Sequence, residues 1–187
     1  MSETLATTQR NIPAIVLRTA LAVALITLSA KIKVPFWPVP MTLQVAAILL
    51  VAGIGGVRQG AGAVAAYMAV GAVGLPVFAG TPEKGLGLAY MVGPTGGYLL
   101  GFLLAAVLVA WAIERFGRHA AWVAMPAGLA IIYALGVAWL AQFVPADKVL
   151  AYGLTPFLFG DICKVALAAL IVVYAPDNVK TWLKGRT

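Results

Sequence analysis

Apolar residues dominate this chain in long runs, broken by short polar or glycine- and proline-rich stretches rather than by regularly alternating polar positions. A run of on the order of 20 apolar residues crosses the roughly 30 Å hydrocarbon core of a bilayer as a helix rising 1.5 Å per residue. A transmembrane strand would instead show a two-residue alternation over about ten residues. The pattern predicts six helical spans, at residues 12–30, 41–57, 60–74, 93–116, 120–143 and 155–174. The second and third are short and share one tight turn.

Composition strengthens this reading. The 187 residues are 63% hydrophobic and only 10% charged, far from the quarter charged of a soluble domain, and the mean hydropathy is +0.99. The expected fold is therefore all-α: an integral membrane protein, a bundle of six transmembrane helices forming a single domain over residues 1–187. The first apolar run is span-length and no small-residue cleavage site follows it, so it is read as the first helix rather than a signal peptide.

A net charge of +7 on a soluble chain would suggest nucleic acid, but here the basic residues sit at the ends of spans. With six alternating helices, Arg10, Arg58, Arg115, Arg118, Lys180, Lys184 and Arg186 share one side, and Lys31, Lys33, Lys84 and Lys148 the other. The positive-inside rule makes the richer side cytoplasmic, with both termini there. The natural partner is the lipid bilayer, and no nucleic acid is expected. The longest connections, "KIKVPFWPVP", "LPVFAGTPEKGLGLAYMV" and "VPADKVLAYG", then all lie outside, so the working surface, or a lid over it, faces the exterior.

The last span, "TPFLFGDICKVALAALIVVY", carries Asp161 and Lys164, roughly 10 to 14 Å from its exterior end. Each charge at that depth costs about 2.5 to 3.5 kcal/mol on insertion scales. A spacing of three puts both on one helical face, where they can pair, but pairing seldom recovers the full desolvation. Two readings remain: a structural ion pair, or the polar floor of a pocket for an anionic or hydrogen-bonding ligand.

Other positions add less. Arg18, near the cytoplasmic end of the first helix, is expected to snorkel to the interface. Cys163 stands alone in an apolar helix and reads as a packing residue. His119, the single histidine, falls in a basic loop, so no histidine metal cluster and no Ser-His-Asp set can form. No catalytic residue, cofactor or metal is called. The glycines of "AGIGGVRQGAG" lack the Lys-Ser/Thr of a phosphate-binding loop and join two membrane runs. In "GPTGGYLLGF", Gly97 and Gly101 offer a smooth face for close helix packing. Gly96, at the helix start, is expected to aim backbone N–H groups at the exterior mouth, and Tyr98 to add a ring and a hydroxyl. Ala20 and Ala24 form a small-residue stripe suited to another membrane protein or to internal packing.

The succession of "VPFWPVPMTLQ", "GLPVFAG", "GPTGGYLLGF" and "GDICKVALAA" resembles the BioY family, the biotin-specific S components of energy-coupling factor (ECF) transporters, over nearly the whole chain. The resemblance implies a bundle that captures biotin from outside and works with a transmembrane scaffold (T) component and a pair of ATPase subunits, in the bacterial cytoplasmic membrane. It puts Asp161 and Lys164 on the family's Asp-x-x-Lys motif, part of the biotin pocket. Asp161 would accept from a ureido N–H and Lys164 would meet an anionic or carbonyl oxygen. Trp37 and Gln44 look like lid and rim of such a pocket, and the Ala20–Ala24 face like the surface that docks on the scaffold. "TPEK" matches no pattern of the family, and Glu83 and Lys84 receive no role. An S component for a different small vitamin and, more distantly, a proton-coupled channel or carrier are the competing readings.

Overall fold

The computed structural model describes residues 2–34, 39 and 41–176, with side chains from residue 12 onward except at residue 34. The helices are α1 (Ser2–Lys31), α2 (Gln44–Gly56), α3 (Gly62–Ala72), α4 (Gly87–Met91), α5 (Gly96–Phe116), α6 (Ala121–Leu140), α7 (Val149–Gly153) and α8 (Thr155–Tyr174). Two-residue strands β1 (Lys33–Val34) and β2 (Met41–Thr42) pair antiparallel between α1 and α2. Five helical stretches are long and apolar enough to cross a membrane: Ile12–Lys31, Gln44–Ala72, Gly96–Phe116, Arg118–Leu140 and Ala146–Tyr174.

The second stretch is not one straight rod. A π-helical segment, Val57–Ala61, separates α2 from α3. The Cβ position of Gly60 lies 2.8 Å from the Cα of Ala52, whereas residues eight apart in a straight helix lie about 12 Å apart along the axis. The chain therefore doubles back at Gly56, whose φ of +73° suits glycine. Glu114 of α5 locks the reversal, its Oε1 accepting from the Val57 N–H at 3.0 Å. The six-run reading thus meets five long stretches, the second bent in two.

The α5–α6 pair has the most extensive interface. Gly101 of α5 sits on the α6 backbone, its Cβ position 2.7 Å from the Cα of Ile132, and Gly97 faces Leu135 and Trp139. Gly128 and Gly136 reciprocate from α6, the latter against the ring of Tyr98. These glycines pack as the small-residue spacing predicts. Proline at the start of α8 fits the first turn, where its missing N–H is no loss.

Two expectations need correcting. Arg18 does not snorkel out of the protein: it is buried, 7% exposed, against neighbouring helices. Cys163 is exposed on the outer face of α8 and is not a core packing residue. In both cases a helix apolar on all sides gives no amphipathic signal to separate inside from outside.

Candidate functional site

At the end of the bundle where β1 and β2 lie, the long connections converge. Lys31 Nζ donates to the carbonyls of Phe78 and Thr81, both at 2.8 Å, and Lys33 Nζ to that of Ala79 at 3.2 Å. The 73–86 connection is pinned by Phe78, fully buried, which stacks on Tyr90 at 5.0 Å, meets Tyr67 edge-on at 5.4 Å and covers Gly71. Tyr90 caps the same loop, its hydroxyl accepting from the Gly80 N–H at 3.2 Å. Lys84 joins the basic rim of this end: burial, then the charge of Lys33, lowers its pKa from the ordinary lysine value.

Beneath these connections lies a cavity of about 60 Å³ between α2, α5, α6 and α8, walled by Val39, Met41, Thr42, Gln44, Val45, Ala79, Tyr90, Thr95, Tyr98, Phe102, Ile132, Tyr133, Phe157 and Asp161. It has the usual character of a small-molecule site, aromatic and aliphatic walls with a few convergent polar groups.

Asp161 is the charged member. It is 5% exposed, and each carboxylate oxygen has a partner: Oδ2 accepts from the Tyr133 hydroxyl at 2.8 Å, Oδ1 from Lys164 Nζ at 2.7 Å. Lys164 does not border the cavity; it also donates to the Thr42 carbonyl at 2.6 Å. The ammonium thus ties α8 to β2 while neutralising Asp161, and a carboxylate retains further lone pairs for a donor. The compensation expected for two intramembrane charges therefore comes from Tyr133 and a backbone carbonyl in addition to the mutual pair.

Gln44 is buried on the wall, its Nε2 donating to Tyr67 Oη at 2.9 Å, which in turn donates to the Val77 carbonyl at 3.2 Å. Tyr98 lines the cavity with its ring, while its hydroxyl donates to the Gly153 carbonyl at 2.6 Å. Gly96 lies apart. Its N–H donates to the Gly93 carbonyl at 3.0 Å and it packs against Met91 and Trp139, so it supplies no open N–H to the mouth. Trp37 lies outside the described residues. Ala20 and Ala24 are exposed on α1. Glu83 lies on the exposed 82–86 stretch.

Sequence reasoning missed Tyr133, Tyr90 and the Thr42 carbonyl. Tyr133 carried one faint signal, a phenol in the middle of an apolar span, which needs a partner when buried. A backbone carbonyl carries none. Among the described residues no group of three or more His, Cys, Asp or Glu side chains could hold a metal.

Apolar helices packed around an end-opening cavity with one neutralised carboxylate define a polytopic membrane protein with a candidate small-molecule site. The BioY family model matches residues 1–181, and the chain belongs to the BioY family. It is similar to the biotin transporter BioY of Thermotoga maritima, 45% identical over 152 residues that make up 80% of this chain and 88% of that one. The probable biotin transporter BioY of Pyrococcus horikoshii is 39% identical, with 85% and 94% covered. Among solved structures, the chain is similar to the S component for biotin from an ECF-type ABC transporter, with a TM-score of 0.74, 25% identity, and 88% and 91% of the two chains covered.

Proposed function

We propose that this chain captures biotin with high affinity as the substrate-binding S component of an ECF transporter, supplying recognition while partner ATPases supply energy. One observation carries the reading: a buried carboxylate, held by Tyr133 and Lys164, borders an otherwise mostly apolar cavity at the end of the bundle where the long loops gather. Biotin has matching parts, a ureido group with two N–H donors, an apolar bicyclic ring and chain, and a terminal carboxylate.

The charges favour one orientation. A second carboxylate beside Asp161 would meet like charge in a low-dielectric site, whereas ureido N–H groups would complete the acceptor capacity of Asp161. The ring then lies against Tyr98, Phe102, Ile132 and Phe157, whose side chains part to widen the cavity of about 60 Å³ and admit it. The valeryl chain leaves toward the mouth, where Lys33 and Lys84 offer positive charge to its carboxylate. Gln44, through Tyr67, holds the loop that covers the site, and Trp37 belongs to the lid in this reading.

The same proposal has six crossings, α2 and α3 each counting as one, with both termini on the cytoplasmic side of a bacterial inner membrane. The exposed Ala20–Ala24 face docks on the scaffold subunit. Titration calorimetry on the detergent-purified chain tests the reading. Biotin is expected to bind in the nanomolar to low-micromolar range, with Lys164→Ala about tenfold or more weaker because Asp161 loses its counter-charge. Binding of another vitamin with no response to biotin would replace the ligand.

A further inference from the structure

A second cavity lies at the opposite end of the bundle, at the seam of α1 with α2. It measures about 150 Å³ and is walled by Arg18, Leu21, Ala22 and Leu25 of α1, Leu50, Val51, Ile54 and Gly55 of α2, and Gln59 and Gly60 of the π-helical segment. Close-packed interiors hold few voids larger than a water molecule, and an apolar space of this size stays dry yet accepts a slim apolar guest.

Its two ends differ. Arg18, Gln59 and Gly60 form one end; Leu21 and Leu25 continue from it toward the bilayer centre, Leu25 about 10 Å deeper than Arg18. Gln59 Nε2 is fixed by Thr19 Oγ1 at 2.8 Å, which holds the π-helical segment against α1. Arg18 lies six residues inside the Ile12–Lys31 stretch, about 9 Å from its end. Arg18 is 7% exposed, so it is enclosed by the protein at the end of the recess nearer that interface. Leu21 and Leu25 are themselves about half exposed, so the recess opens sideways onto lipid.

A cation at the interfacial end and an apolar slot running inward match the two parts of an anionic amphiphile. A helix, about 10 Å across with its side chains, is too thick for such a recess; an acyl chain is not. We propose that this cavity binds one acyl chain of an anionic glycerophospholipid from the leaflet opposite the ligand mouth, with Arg18 holding the phosphodiester. The lipid would fill the seam beside which α1 is otherwise sparsely packed, and so brace the helix.

Native mass spectrometry of the purified full chain, back-titrated with phosphatidylglycerol, phosphatidylcholine or inorganic phosphate, tests this. One phosphatidylglycerol is expected to be retained, about tenfold more tightly than phosphatidylcholine, with inorganic phosphate failing to displace it. Arg18→Gln should reduce retention about tenfold, and Ala22→Phe, which fills the slot, should abolish it while biotin affinity stays unchanged. Equal retention of the two lipids, displacement by inorganic phosphate, or an undiminished adduct in Ala22→Phe would each overturn the proposal. The headgroup comparison uses the unsubstituted chain and stands even if a variant does not fold.

Discussion

The helices that enclose the cavity beneath the long connections and the helix that begins the chain are built to opposite rules. In the α5 stretch, 61% of the most apolar window is buried inside the protein; in the α1 stretch only 22% is. α5 and α6 approach through glycines until backbone meets side-chain stem, which fixes the cavity wall at close range. α1 is buried along a narrow strip that includes Ile26, Ser29 and Ala30, and leaves Val16, Leu17, Leu21, Leu25 and Leu28 uncovered. In lipid no hydrophobic force drives helices together, so close packing has to come from small residues and polar contacts. The pocket helices have both, whereas α1 turns Ala20 and Ala24 outward. The proposed binding site needs helix walls that do not move; α1, if it docks on the scaffold, needs a free face.

The sharpest way to break this contrast is at Asp161. Asp161→Ala leaves Lys164 largely buried beside the Thr42 carbonyl without its counter-ion, a change that costs about 3 to 5 kcal/mol when a buried pair loses one partner. Melting of the detergent-solubilised protein should fall by ten degrees or so, at about 2 to 4 °C per kcal/mol for a chain of this length, and biotin binding should vanish. The pair replaced together, Asp161→Leu with Lys164→Leu, should regain most of the stability because no charge is stranded, yet still fail to bind. A double variant that binds biotin normally would reduce the pair to a structural clasp.

Gly101→Val tests the close approach itself. Its Cβ would lie 2.7 Å from the Cα of Ile132, an atom that cannot rotate away, so the helices must part. Overpacking of this kind costs about 1 to 3 kcal/mol. The widened seam also displaces Ile132 and Tyr133, which border the cavity, so affinity should fall with stability. A drop in melting temperature with full biotin affinity would show that the wall tolerates more movement than its packing suggests.

How much of this was readable from the chain depended on which atoms carry the information. α8 has the bounds the apolar run predicted, 155–174, because Pro156 favours a helix start there and the run ends abruptly. Asp161 and Lys164 were visible because charges are rare in such a span. Their satisfaction was not: it uses Tyr133, which counts as apolar in a pattern, and the Thr42 carbonyl, brought to α8 from a hairpin 122 residues away in sequence. The short helices α4 and α7 were missed because five residues show no periodicity. Arg18 and Cys163 were misassigned to the outside and the inside for the same reason, since an all-apolar helix does not announce which way it faces.

The smallest effect is expected on α1, and its size is the point. Ala20 and Ala24 are exposed, so Ala20→Leu with Ala24→Leu enlarges the outer face of α1 rather than its buried strip. Surface changes away from special features stay within about 0.5 kcal/mol, and neither residue is near the cavity, so melting temperature and biotin affinity should be unchanged. If this stripe seats a scaffold helix, the added side chains hold the two backbones apart, and co-purification with the scaffold and ATPase subunits should drop steeply along with biotin uptake. Capture would then be separated from transport in a single variant. Unimpaired assembly would move the docking face elsewhere on α1, to the row of exposed leucines, and would leave its small residues without a structural purpose. A fall in biotin affinity in the isolated chain would be the more damaging result, because it would mean that α1 supports the pocket after all.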